Sequence, residues 1–301
     1  MREPAPMTAL GAEAEATIQS QRLRAISVRT PSTLTRLVAA VDPLRLAGVV
    51  IFVVFWQVMS LFLPSIILPS PWSVAMRLWG DFLDAPNLSY YGVAEPNLYA
   101  NLIYTAENVA LATVIGSAIG IVAGLVTARF RSIRAAIDPI MMTAGTVPIL
   151  VAAPFLLIWF GVGRESAVCL VIFYVAVILY VFAQRAAENI NPIYEDFART
   201  LGATPRQMLI DLILPATVPE ILGGIRIALA GAWGLEAISE LLGSQTGMGK
   251  VLEVLSGATD PEGIMAVLLL LGFVAIAVDA LAGRIVAWLA RWSAAMQPQG
   301  R

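Results

Sequence analysis

The sequence predicts an all-α membrane protein, a polytopic helical bundle of about six transmembrane helices. Three observations carry that reading. Of 301 residues, 58% belong to the hydrophobic set and only 13% are charged, about half the charge density of a soluble domain. Mean hydropathy is +0.80. The apolar residues also gather into runs long enough to cross a hydrocarbon core, which takes about 20 helical residues. This composition excludes an ordinary soluble enzyme and a disordered chain.

Six runs qualify. They are Leu46–Leu63, Val109–Ala128, Met141–Phe160, Ala167–Ala183, Ile227–Ala237 with its flanks, and Ile264–Val278. The fifth is the weakest by hydropathy, because Arg226, Glu236 and Glu240 crowd it. Residues 1–45 form a polar N-terminal segment with six arginines and no apolar run. A cleavable signal would place its apolar stretch within the first 15–30 residues, so the run from Leu46 reads as a retained span. Residues 46–290 then make up the transmembrane domain and 291–301 a short tail.

With an even number of spans, both termini share one side. Fifteen of the 19 basic residues fall there, against Arg77, Arg164 and Lys250 opposite. The positive-inside rule makes that side cytoplasmic. Pro64–Ala100 and Leu241–Gly263 become the main external segments. The net charge of −2 provides no basic field for nucleic acid. There is no His and a single Cys, Cys169, which excludes a His/Cys zinc site and removes the commonest general base.

The longest internal loop, residues 184–218, lacks the Gly/Ser/Pro composition of a flexible linker. Glu195-Asp196-Phe197-Ala198-Arg199-Thr200-Leu201 is helix-forming, with acids early in the segment where they complement the dipole. Gly202 suits a C-terminal cap at positive φ. Thr204-Pro205-Arg206-Gln207 has an N-cap, a proline in the first turn and a capping-box Gln. Leu209 to Leu214 follow, with Pro215 expected to end the second helix. The loop therefore encodes two short helices around a Gly-Ala corner. Ala198 and Gly202, one turn apart, leave a face that another protein can approach closely.

Asp196-Phe197-Ala198, three residues, Gly202, nine residues and Leu212-Ile213-Leu214-Pro215 resemble the EAA loop of bacterial ABC importer permeases. Asp196, Phe197 and Leu212 depart from the family's Glu, Ala and Ile. Leu68-Pro69-Ser70-Pro71, Asp138-Pro139, Trp159-Phe160-Gly161-Val162-Gly163, Gly224-Ile225-Arg226-Ile227-Ala228-Leu229 and Glu240-Leu241-Leu242-Gly243 resemble its nitrate/sulfonate/taurine-type members, in the same order. The resemblance implies a multi-pass permease subunit of the bacterial inner membrane, working as a pair. It would be fed by an external solute-binding protein and coupled to a separate dimeric ATPase that carries ATP and magnesium. ATPase-coupling residues would be Asp196, Ala198, Arg199, Gly202, Ala203, Thr204, Pro205 and Arg206. The default solute would be an anion such as sulfonate, taurine or nitrate. The chain itself has no phosphate-binding loop: Gly243 to Val251 has five residues between its glycines and no Ser or Thr after Lys250.

Ionisable groups inside spans are functional candidates. Glu107, Asn108, Arg226, Glu236 and Glu240 are the candidates for the solute path. Glu236 and Glu240, four residues apart, share one helical face. Two acids there would line a polar cavity or meet cations, and a structural partner for Glu236 is the competing reading. They would also repel an anionic solute, which keeps a neutral or cationic organic solute open. Arg226 is expected to pair with Glu220 or cap carbonyls. Gly116, Gly120 and Gly124 form overlapping small-xxx-small motifs for close helix approach, within one copy or between two. Met141 and Met142 read as apolar filling. The runner-up function is an ion-gradient-driven secondary transporter using intramembrane carboxylates.

Overall fold

The computed structural model describes residues 43–291. The expected segment 1–45 and tail 291–301 lie almost wholly outside the described residues. The chain divides into two compact units, one ending at Val58 and one beginning at Met59. Helix α1 (Pro43–Phe62) supplies the described part of the first unit, with the rings of Phe52 and Trp56 6.4 Å apart on one face.

In the second unit, α2 (Pro71–Asp81) opens with Ser70 accepting a hydrogen bond from the Ser73 amide. A short turn of helix, α3 (Pro86–Tyr90), follows. Asn97 then caps α4 (Leu98–Arg129), a 32-residue helix. Next come α5 (Arg131–Thr146), a tight turn Ile149–Ala152 and α6 (Ala153–Phe160). α7 (Arg164–Glu188) crosses back, and α8 (Pro192–Thr200) lies in the loop that follows. α9 (Pro205–Gln207) runs through a π-helical stretch, Met208–Ile213, into α10 (Leu214–Gly243). α11 (Met248–Gly257) and α12 (Pro261–Leu289) complete the bundle. Among the described residues the regular structure is all helical.

Among the described residues, four helices are long and apolar enough to cross a membrane: α4, α7, the continuous 39-residue helix Pro205–Gly243, and α12. The expected third span, Met141–Phe160, is not one helix. It is broken where α5 meets residues 149–160, at an angle of 97°. Val147 is extended (ψ 128°) before Pro148, because proline disfavours helical geometry in the residue preceding it. The first expected span is helical but short, with its apolar part at Leu46–Phe62. Six is reached by counting the bent pair and α1.

The expected stop at Pro215 is also corrected. Proline lacks an N–H and crowds the carbonyl four residues back. The preceding π-helical turn has a wider ring, and the helix passes through to Gly243.

The α4–α7 seam shows why the three glycines are there. A Cβ at Gly116 would meet the Ile172 carbonyl at 2.8 Å. At Gly120 and Gly124 it would collide with the carbonyls of Ala176 and Tyr180. Both helices thus step by four residues in register, so the small-residue motif serves packing inside one copy. Met142 is exposed rather than filling a core.

Candidate functional site

At the end of the bundle reached by the C-terminus of α4, the loop after α7 is a rigid hairpin. Asn191 Oδ1 accepts from the Ile193 amide, and Pro192 begins α8. Its C-terminus is a Schellman motif. The Ala203 N–H donates to the Ala198 carbonyl (3.0 Å) and the Gly202 N–H to Arg199 (2.9 Å), with Gly202 at φ +78°. One residue later the capping box forms: the Gln207 N–H donates to Thr204 Oγ1 (3.3 Å) and the Thr204 N–H to Gln207 Oε1 (2.9 Å). The local chemistry of the sequence is sufficient for every one of these turns.

The hairpin presents Asp196, Arg199, Gly202, Thr204, Pro205 and Arg206 at the surface, with Ala198 and Ala203 half-buried. Four large apolar side chains accompany them: Ile193, Tyr194, Phe197 (64% exposed) and Leu201 (72%). This cluster was not singled out from the sequence, although the 4-residue steps from Ile193 through Phe197 to Leu201 carry the signal. An uncovered apolar cluster with a polar rim marks an interaction surface, for a protein or for the membrane. Glu195 anchors α8 by pairing with Arg199 (2.9 Å) and with Arg129 at the end of α4 (3.5 Å). Nearby, Asp138 of α5 accepts from Arg134 (2.9 Å), Gln184 (2.8 Å) and the Tyr180 hydroxyl, while Arg134 also pairs with Glu188. These bonds fasten α5 to α7 ahead of the bend.

The opposite end holds a ladder of polar contacts between α4, α10 and α11. Three successive amides at the start of α11 are spoken for. Gly247 N–H donates to Asn101 Oδ1, Met248 N–H to Thr105 Oγ1 and Gly249 N–H to Glu240 Oε2, each at 2.9 Å. Thr105 Oγ1 in turn donates to the Glu240 carboxylate at 2.9 Å. The glycine-rich Gly243–Val251 stretch is therefore a cradle for the chain's own carboxylate, placed at a helix N-terminus where negative charge is favoured. Of the expected surroundings, a polar enclosure is the one found for Glu240: among the described residues its donors are the Thr105 hydroxyl and the Gly249 amide. Gly247 sits at φ +107°, and a Cβ there would run into the Glu240 carboxyl group.

Glu236, one turn back on the same face, is fully buried, as is Asn108 of α4. Glu107 is exposed beside Arg164 (3.4 Å), whose guanidinium lies 5.4 Å over the Tyr104 ring. Arg226 pairs with neither Glu220 nor carbonyls. Its Nε and terminal nitrogen donate to the two oxygens of Asp279 on α12, at 3.0 and 2.7 Å. Glu220 is approached instead by Asn189. Of the five solute-path candidates, the fold therefore encloses Asn108, Glu236 and Glu240 within one copy and leaves Glu107 and Arg226 at its surface.

At the same end as the ladder, Arg77 ties α2 to α12, meeting Asp81 at 2.7 Å and Asp260 at 2.9 Å. Burial pushes the Asp81 carboxyl above its ordinary value, against the pull of Arg77. A cavity of about 480 Å³ opens beside this cluster, between Ser65, Asn87, Tyr91 and Glu262.

A bundle of membrane-length helices with an exposed, doubly capped hairpin at one end defines a polytopic membrane protein. Residues 116–294 match the family described as the binding-protein-dependent transport system inner membrane component, and the chain belongs to that family. It is thus an ABC importer permease subunit, a class of transport components that are not themselves enzymes. It is 28% identical over 247 residues to the nitrate import permease protein NrtB of Synechococcus elongatus, covering 80% of this chain and 86% of that one. It is likewise 28% identical over 244 residues to the taurine transport system permease protein TauC of Escherichia coli, covering 79% and 86%. Among solved structures, the inward-facing MetNI methionine ABC transporter superposes with a TM-score of 0.59 at 18% identity, over 68% of this chain and 99% of that chain. That likeness is one of fold.

Proposed function

We propose that residues 46–290 form the translocation unit of a binding-protein-dependent importer, with the α8–α9 hairpin as its coupling element. The observation that carries the reading is the double capping around Gly202-Ala203, which fixes the short helix α8, with its uncovered apolar face, to the first turn of the 39-residue helix Pro205–Gly243. A rigid body can pass subunit motion into helix tilt. Asp196, Ala198, Arg199, Gly202, Ala203, Thr204, Pro205 and Arg206 would meet a cleft of a separate ATPase dimer, which supplies ATP and magnesium. The hairpin and both termini would lie in the cytoplasm, as the arginine bias favours. Two copies of the chain would enclose the path, and the opposite end would receive the solute-binding protein.

The nitrate relative supports a small anion as the solute, and the taurine relative a small zwitterion bearing an anionic sulfonate. Glu236 and Glu240 are fully buried within one copy, so neither side chain is presented to a path between two. Glu107 and Arg226 are then the path candidates that remain.

The test is co-purification with ATPase subunits encoded beside this chain, comparing wild type with Gly202→Arg. No atom lies within 4 Å of a Cβ at Gly202. An added side chain there would project outward toward a partner, at the modest cost of its positive φ. Loss of the ATPase by a folded, membrane-inserted variant supports the coupling role. Full association and normal flux in the variant refute it. Solute flux driven by an ion gradient without any ATPase would select the secondary-transporter reading instead.

A further inference from the structure

The two acids on the inner face of α10 are treated very differently by their surroundings. Glu240 receives hydrogen bonds from the Gly249 amide and the Thr105 hydroxyl. Glu236 receives none of hydrogen-bonding geometry: both carboxyl oxygens are buried, and neither has a donor in hydrogen-bonding position. The polar side chain that approaches it is Asn108 of α4, and both atoms of that amide are buried and orphaned as well. Two fully buried groups on facing helices thus contribute four unsatisfied atoms. Leaving each unpaired is costly in a bundle interior, and far more so within a bilayer.

Counting donors and acceptors shows what resolves this. Asn108 offers one acceptor oxygen and a two-hydrogen donor. An ionised carboxylate offers acceptors only, so it can take an amide hydrogen but leaves the amide oxygen facing a second negative oxygen. A neutral carboxylic acid has one O–H donor and one carbonyl acceptor. It can pair with the amide in a ring of two hydrogen bonds, O–H to amide oxygen and N–H to acid carbonyl, and all four atoms are satisfied at once. The stoichiometry needs one proton.

We infer that Glu236 and Asn108 together form a proton-binding site inside each copy, holding one proton as a neutral acid–amide pair that ties α4 to α10. The charged neighbours do not supply an alternative. Glu240 lies on the same helix face and disfavours a second negative charge. Arg164 of α7 acts on Glu236 only through space, and its guanidinium is engaged with Glu107 and the Tyr104 ring. The site concerns the interior of one copy and stands apart from the ATPase-coupling reading.

Infrared spectroscopy of the purified protein in lipid at pH 7 tests this directly. The expected result is a carboxylic-acid C=O band that moves down in D₂O, disappears in Glu236→Gln and moves up in Asn108→Leu, where the hydrogen bond is gone. Glu236→Gln should also keep the wild-type unfolding temperature, because a Gln–Asn amide pair makes the same ring without a proton. Glu236→Ala should lose several degrees. A wild-type spectrum with no protonated carboxyl band, or a band unaltered in Glu236→Gln, overturns the proposal. So does a Gln variant as unstable as the Ala variant.

Discussion

The seam between α4 and α7 makes a quantitative demand on a single methyl group. At Gly120, a Cβ would lie 2.9 Å from the Leu179 Cβ and 3.0 Å from the Tyr180 nitrogen, and closer still to the Ala176 carbonyl. Backbone atoms cannot rotate away, so Gly120→Ala must push the helices apart by several tenths of an ångström. Each side of the seam is in contact with the same neighbour along two further turns, through Gly116 and Gly124. The displacement therefore loosens a contact that extends over at least nine residues of α4. Overpacking of this kind costs about 1–3 kcal/mol. At about 2–4 °C per kcal/mol for a chain of this size, thermal unfolding followed by tryptophan fluorescence should drop by several degrees. The control is Gly234→Ala on α10, where a Cβ meets nothing within 4 Å. There the substitution should leave the midpoint unchanged or raise it slightly, since Ala is the better helix former by about 1 kcal/mol. Equal midpoints for the two variants would refute the close-approach account of the seam.

Other perturbations probe different links. Thr204→Ala removes half of the capping box and should cost about 1 kcal/mol of local helix stability. Hydrogen exchange at the Arg206 and Gln207 amides should then quicken by about fivefold, with little change in global unfolding. Arg226→Met leaves the Asp279 carboxylate of α12 without its bidentate partner, and Asp279→Leu leaves the Arg226 guanidinium of α10 without its own. In a double-mutant cycle the double variant should therefore lose less than the sum of the two single variants. Strictly additive losses would mean that the bidentate pair contributes nothing.

Local chemistry made the hairpin legible before any coordinates. Thr204, Pro205 and Gln207 specify a capping box among themselves, and Gly202 specifies the positive φ that a Schellman motif needs. The glycine spacing on α4 was equally readable, because a 4-residue step has one geometric consequence in a helix. Errors arose where the outcome depended on an alternative backbone register or a distant helix. A π-helical turn before Pro215 cannot be read from composition, and it converts an expected stop into a through-helix. The prolines at 148 and 154 broke a run whose hydropathy is uninterrupted. Arg226 and Glu220, six residues apart, project to different sides of a helix, so the real partner had to come from α12. Tyr180 falls in an expected span and Gln184 at the start of the loop, and nothing in their spacing points to Asp138, 42 and 46 residues away.

The same through-helix connects the two ends of the second unit. Residues 205–243 form one helix of 39 residues, about 58 Å at 1.5 Å per residue. It begins at the capped hairpin and ends beside the Glu240 cradle. A stop at Pro215 would have left a flexible joint between hairpin and bundle, and force on the hairpin would have dissipated there. Continuous helix, carried through the π-helical stretch, Pro215 and Pro219, joins the hairpin to the bundle without a loop. At its far end Glu240 grips the first turn of α11 through the Gly249 amide, and Thr105 joins both to α4. Tilting the hairpin end would thus displace α11 as well as α10, at the surface where the solute-binding protein is proposed to sit. Gly249 is the tightest point of that linkage: a Cβ there would collide with the Ala237 carbonyl and lie 2.7 Å from the Leu241 nitrogen. Gly249→Ala should therefore preserve ATPase binding at the hairpin while weakening the response of ATP hydrolysis to the loaded binding protein. An unchanged response would show that the two ends are coupled by another route.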